Sequence, residues 1–275
     1  MVQCPTRLFD QMEGDHMDEA PGGGGRPTLV LVHGGSTTSV AWDPVLPHLR
    51  TPALAVDLPG RRYRPADLAT VRRADWERAV ADEVTALGPG PGGVVLVGHS
   101  SGAYVVPGAA ALLPPGTVRH LVLVAATCPR EGDRPVDALA PKLQAMTLGN
   151  EPHLRARAAG RTLGGLRDGE PPIETALEVV EIDPRQGLEA PLQLFEPMTW
   201  AGVPPVGRTY VRALRDRVIP PDHALVMAAN AEAGEVVDLD AAHDVAGSAP
   251  AELAAVLDRV AAGVPGGAVR PRPEP

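Results

Sequence analysis

The segment Gly93–Gly98 (GVVLVG) runs without a break into Gly98-His99-Ser100-Ser101-Gly102 and then into AYVVPGAAALL, and this juxtaposition constrains the chain more than any other feature. The first part is a short continuous Val/Leu run, the length and composition of a strand buried on both faces of a sheet. The last part reads as a helix. Between them lies a sharp turn with Ser100 at its apex. Glycines two residues before and two after the serine leave space where side chains would collide with the neighbouring strand and helix. The serine oxygen then projects from the C-terminal edge of a sheet, beside a helix N-terminus whose dipole and N–H groups favour negative charge. A phosphate-binding turn is the competing reading, but its Gly-x-Gly-x-x-Gly spacing and lysine are missing.

The rest of the chain repeats this strand-then-helix rhythm. TLVLVH (28–33), ALAVDL (53–58) and HLVLVAA (120–126) are further buried-strand runs, with RTYVRAL (208–214) and EVVDLD (235–240) as weaker ones. Helical patterns cover Ala74–Leu87, Ser101–Leu113, Asp222–Ala231 and Pro250–Ala262. The alternation predicts an α/β fold with a doubly wound, mostly parallel sheet and helices on both faces. With 275 residues, 44% apolar and 3% aromatic, the chain has material for one large aliphatic core.

Residues 128–203 break the rhythm. They show no convincing strand, only short helical patterns at Val136–Met146 and Ile173–Ile182, and are too long for an ordinary connection. They are expected to form a helical cap inserted between core segments 27–127 and 204–262. Residues 1–26 are read as a flexible N-terminal segment with a short strand near Thr6–Phe9, and the Pro/Gly-rich stretch 263–275 as a disordered tail.

Composition removes several classes of function. The net charge is −9 and the arginines are dispersed, so no basic stripe suits nucleic acid. No run of about 18 apolar residues suggests a membrane span, and the N-terminus has no apolar signal core. Cys4 and Cys128 lack metal-ligand spacing and are expected to be reduced thiols. The expectation is a cytoplasmic monomer or homodimer that acts on a small molecule, without metal or organic cofactor.

A nucleophilic serine needs a base, an acid to orient that base, and donors for the developing oxyanion. After a strand–turn–helix serine the partners follow in the order acid, then histidine. His120, His153, His223 and His243 lie beyond Ser100. Of these, His243 falls between the last strand and the last helix, at the same sheet edge as Ser100. His120 belongs to a strand at the opposite edge, His153 to the insertion and His223 to the start of a helix. Asp216, in the loop after RTYVRAL, is the favoured acid; Asp133, after the preceding strand, is the alternative. Gly35 N–H, in the loop His33-Gly34-Gly35-Ser36, and Ser101 N–H are the expected oxyanion donors. Gly34, Ser36 and His99 are expected to face the substrate, and His33 to hold the loop. From the insertion, Met146, Leu148, Leu163, Leu166, Phe195, Met198 and Trp200 are candidates for an apolar pocket. Packing of the insertion onto the core is the alternative for each of them.

Four elements in order, LVLVHGG, VDLPG, GHSSG and YVRALRDRVIP…LDAAHDVAGSAPAEL, resemble the α/β-hydrolase superfamily over about residues 28–262. More narrowly, they resemble the branch of plant methyl esterases and hydroxynitrile lyases and their bacterial relatives. Asp216, Ile219-Pro220, His243, Ser248 and Pro250 fall in the pattern of that branch. The resemblance implies Ser100, Asp216 and His243 as a triad under a helical cap. Its hydroxynitrile lyases carry a lysine after the histidine; here Asp244 stands there, and Lys142 is the only lysine in the chain. The expectation is therefore a serine hydrolase for an ester, thioester or lactone of a small apolar molecule. The alternatives are a lyase, cyclase or acyl transferase using the same residues, and a non-catalytic binding protein on the same scaffold.

Overall fold

A computed structural model describes residues 7–9, 25–61, 64–90, 92–159 and 190–264. Cys4, Leu163, Leu166, the expected helix 173–182 and residues 265–275 lie outside the described residues.

The short apolar runs form the strands of one seven-stranded sheet. They are β1 (Arg7–Phe9), β2 (Thr28–Val32), β3 (Ala53–Val56), β4 (Val94–His99), β5 (Val118–Val124), β6 (Gly207–Ala213) and β7 (Glu235–Leu239). The spatial order is β1-β3-β2-β4-β5-β6-β7. Strands β2 to β7 are parallel, and β1 pairs antiparallel with β3 at the edge. From β2 the chain first winds outward to β3 and then returns to β4 on the other side. Such a reversal opens a crevice at the C-terminal ends of the strands. The loops after β2 and β4 meet there.

Helices cover both faces because alternate strand residues point to opposite sides. Val30, Val32, Leu54, Val56 and Leu96 pack with Trp76, Tyr104 and Met227 on one face. Leu29, Leu31, Ala53, Val95 and Val97 pack with Trp42, Leu253 and Leu257 on the other. The helices are α1 (Arg73–Leu87), α2 (Val106–Leu112), α3 (Pro141–Ala158), α4 (Leu192–Phe195), α5 (Pro221–Asn230), α6 (Val245–Ser248) and α7 (Pro250–Gly263). Helix α1 ends on Gly88, whose φ of 60° suits a glycine C-cap.

Three elements differ from the sequence expectation. The helix after Ser100 is split: a 3-10 turn spans Ser100–Tyr104, and α2 begins only at Val106. Pro107, which has no N–H to donate, sits in the first turn of α2, where none is needed. Strand β5 starts at Val118, before His120. In the insertion, Pro135–Ala138 is a 3-10 turn and α3 runs on to Ala158 with Pro152 inside it, well beyond Met146. Among the described residues, no helix is long and apolar enough to cross a membrane.

Candidate active site

The serine turn forms as its glycines require. Ser100 has φ of 50°, a left-handed conformation that costs a non-glycine residue on the order of 1 kcal/mol or more. A Cβ on Gly98 would lie 2.7 Å from the Ala103 Cα, and one on Gly102 would lie 2.5 Å from the His33 carbonyl oxygen. The neighbours in both cases are backbone, so neither clash relaxes cheaply. The strain at Ser100 is thus held by β2 on one side and the 3-10 turn on the other.

Three side chains from three strand ends meet at this edge. Ser100 Oγ lies 3.0 Å from His243 Nε2. His243 Nδ1 lies 2.7 Å from Asp216 Oδ2. Asp216 follows β6, is 5% exposed, and accepts at Oδ1 from the Val218 and Ile219 N–H groups at 2.7 and 2.9 Å. Its two oxygens therefore have separate tasks, one fixing its own loop and one holding the imidazole. The carboxylate at His243 is that of Asp216; Asp133 is solvent-exposed and hydrogen-bonds through its carbonyl to Met198 N–H.

The loop after β2 packs directly on the serine. A Cβ on Gly34 would lie 2.9 Å from His99 Nδ1 and 3.1 Å from Ser100 Cβ, so only glycine permits this approach. His33 is fully buried; its Nε2 accepts from Leu58 N–H at 3.2 Å, which leaves Nδ1 to donate to the Gly34 carbonyl at 2.8 Å. Burial, with the Arg61 charge adding to it, pushes His33 down to about 3, so it remains neutral. Thr37 Oγ1 donates to the same carbonyl at 3.0 Å. Because a trans peptide is planar, pinning the Gly34 C=O from one side aims the Gly35 N–H to the other. The Ser100 carbonyl is held likewise, by Thr127 N–H at 3.3 Å, which fixes the direction of Ser101 N–H. Ser36 completes the turn with φ of 51°.

The remaining expected substrate contacts are placed differently from one another. His99 turns its Nε2 to the His243 carbonyl at 2.8 Å. Met198 is 2% exposed and belongs to the core cluster of Tyr104 and Tyr210, and Trp200 packs against that cluster with its indole N–H on the Pro129 carbonyl. For these two, the geometry is that of the insertion seated on the core. Phe195 lies under the Arg155 guanidinium at 5.2 Å, and Met146 is 53% exposed on α3. A solvent-open depression of about 740 Å³ beside His243 is lined by Leu214, Arg217, Val218 and Asp244, among others. Sequence reasoning did not anticipate it, because it forms between two loops. Among the described residues, no group of three or more His, Cys, Asp or Glu is arranged to hold a metal ion.

Comparison with known proteins places the fold and the family. The model of the alpha/beta hydrolase family matches residues 29–256, well over half of the chain. The esterase Rv0045c of Mycobacterium tuberculosis is 34% identical over 131 residues, which is 46% of this chain and 42% of that one. The chain thus matches less than half the length of this curated relative. Among solved structures, an extracellular alpha/beta-hydrolase from a Paenibacillus species superposes with a TM-score of 0.66 at 16% identity, covering 85% of this chain and 98% of the other. That enzyme is described as sharing structural and functional homology with tobacco salicylic acid binding protein 2. Polyneuridine aldehyde esterase superposes with a TM-score of 0.59 at 19% identity, over 86% of this chain and 99% of its own. The sheet described above is the α/β-hydrolase sheet.

Proposed function

The chain belongs to the alpha/beta hydrolase family, and from that premise we propose that it is a serine esterase working through Ser100, His243 and Asp216. The observation that supports this most is the unbroken hydrogen-bonded order of hydroxyl, imidazole and buried carboxylate at one sheet edge. In this reading His243 Nε2 takes the Ser100 proton as Oγ attacks the ester carbonyl carbon. Asp216 stabilises the resulting imidazolium and keeps Nδ1 protonated. The carbonyl oxygen, now negative, sits between Gly35 N–H and Ser101 N–H, whose peptides are pinned in advance and need no reorganisation. Collapse of the intermediate expels the alcohol, which leaves with the proton from His243. Water then attacks the acyl-enzyme by the same route and frees the acid. No metal or organic cofactor enters any step.

The substrate in this reading is an ester, thioester or lactone of a small apolar molecule, bound beneath a cap formed by residues 128–203 with Gly34 and Ser36 at its reacting end. The placement of 3-10 turn Pro135–Ala138, α3 and α4 between β5 and β6 supports a cap there. Asp244 supports hydrolysis over cyanohydrin cleavage. It stands where the lyases of the branch place a lysine, and its Oδ1 accepts from Gly247 N–H at 3.0 Å, capping α6. Hydrolysis of a chain-length series of p-nitrophenyl esters tests the reading. Turnover by the wild type that vanishes in Ser100→Ala supports it. Turnover unchanged in that variant overturns it.

A further inference from the structure

His243 sits between β7 and α6, where sheet and helix hydrogen bonds alone do not hold the chain, yet its placement decides whether Nε2 meets Ser100 Oγ. The peptide groups around it are tied by two side chains outside the Ser100–His243–Asp216 set. Ala242 N–H donates to Ser248 Oγ at 3.0 Å, and Ser248 Oγ donates onward to the Asp244 carbonyl at 2.7 Å. The His243 carbonyl accepts from His99 Nε2 at 2.8 Å, and from Val245 N–H at 3.0 Å. His99 therefore anchors the peptide that His243 shares with Asp244, and Ser248, using both its donor and its acceptor capacity, ties the next peptide out on each side, Ala241–Ala242 and Asp244–Val245.

His99 adds a feature that Ser248 lacks: it is the covalent neighbour of the serine. The end of β4 thus meets His243 twice, through Ser100 Oγ at the ring and through His99 Nε2 at the main chain. Attachment at two points fixes both the position and the tilt of the imidazole relative to the nucleophile. The two histidine rings lie 5.1 Å apart, and Trp42 stands edge-on to His99 at 6.4 Å. Burial and the adjoining His243 push His99 down to about 4, which keeps it neutral. Its single proton is then on Nε2, where the carbonyl requires it.

We propose that His99 and Ser248 are positioning residues that clamp the main chain at and around His243, His99 at its carbonyl and Ser248 at its two neighbours, and thereby set its alignment with Ser100. The proposal rests on the esterase reading for its kinetic consequence, but the alignment itself can be observed without turnover. Four variants separate the hydrogen bond from the bulk of the side chain. His99→Phe and Ser248→Ala remove the donor, whereas His99→Gln and Ser248→Thr retain one at the equivalent position. Two readouts apply: kcat and KM for p-nitrophenyl acetate, and the low-field proton resonance of His243 Nδ1–H bonded to Asp216. His99→Phe and Ser248→Ala are expected to lower kcat about 10- to 100-fold with KM within about twofold, as a misplaced base should. They should also broaden or erase the resonance, and Gln and Thr should restore both. If His99→Phe fails to fold, the Ser248 pair decides. Wild-type kcat and resonance in Ser248→Ala and His99→Phe would overturn the clamp, and so would losses that Thr and Gln do not recover. If the wild type turns over no ester, the esterase reading fails alone, and the resonance still decides the clamp.

Discussion

At the C-terminal edge of the sheet the hydrogen-bonded order is Ser100, His243, Asp216; at the N-terminal edge it is His120, Thr209, Glu235. Both chains contain a hydroxyl, an imidazole and a carboxylate, at similar distances. At the C-terminal edge the imidazole is in the middle, so it can take a proton from the hydroxyl while the carboxylate stabilises its charge. At the N-terminal edge the hydroxyl is in the middle: Thr209 Oγ1 donates to Glu235 at 3.2 Å and receives from His120 Nε2 at 2.9 Å. There the imidazole is a donor and cannot accept the hydroxyl proton. Glu235 is further neutralised by Arg259 at 2.8 Å. The backbone differs as well. Thr209 lies within β6, paired in register with Glu235, whereas Ser100 is held at a left-handed φ outside the ladder. The same three groups thus make a structural tie at one edge and, in the proposed reading, a reactive arrangement at the other. Order and backbone conformation, not composition, separate them.

The comparison can be broken most directly at the serine. Ser100→Ala is expected to lower ester kcat by about 10⁴-fold or more with little change in melting temperature. Retention of activity would mean that the order of groups does not matter. Next, Asp216→Asn keeps an oxygen for the Val218 and Ile219 N–H groups but no longer holds Nδ1 protonated. A loss of about 10³- to 10⁴-fold in kcat is expected, measured on the same ester.

A third test reads stability against pH. Folding holds His33 at about 3 and His99 at about 4, below the ordinary 6.5. Below about 6.5 the unfolded chain therefore binds more protons than the folded one, so stability falls as pH drops towards 4. Each of these histidines contributes about 1.4 kcal/mol per pH unit in that window. Urea midpoints between pH 7 and pH 4.5 measure the slope, and His99→Gln should remove about one proton of it. The smallest effect on activity belongs to the other edge. Thr209→Val should leave kcat within about twofold while costing about 1 kcal/mol of stability, by leaving the half-buried His120 N–H without its acceptor, while exposed Glu235 keeps Arg259. A large loss of turnover there would erase the distinction between the edges.

How legible each part is in the sequence follows from its physics. The central strands β2, β3 and β4 are marked by nearly continuous Val/Leu/Ala runs, because burial on both faces leaves almost no polar positions, whereas β6 and β7 towards the exposed edge carry Arg208, Arg212, Glu235 and Asp238 and read more weakly. Ser100 is marked by its glycines, which the close approach of His33 and Ala103 demands. Asp216 and His243 are reached through chain order and strand ends, and the structure sets their side chains 2.7 Å apart. The length of α3 is not legible. Gly149 and Pro152 read as breakers, yet the helix continues through them, with Glu151 and Arg155 paired one turn apart on its surface. The anchoring roles of His99 and Ser248 are equally hidden. A side chain that bonds a distant carbonyl or N–H leaves no periodicity and no spacing rule. His99 beside the serine reads as a substrate contact until its Nε2 is found on His243.

The most direct test of the central claim is intact-protein mass spectrometry after treatment with a fluorophosphonate, followed by peptide mapping. A single phosphonyl adduct on Ser100 is expected, absent in Ser100→Ala and formed at least about 100-fold more slowly in His243→Ala. No adduct on the folded wild type, or an adduct on another serine such as Ser36 or Ser101, would contradict the claim.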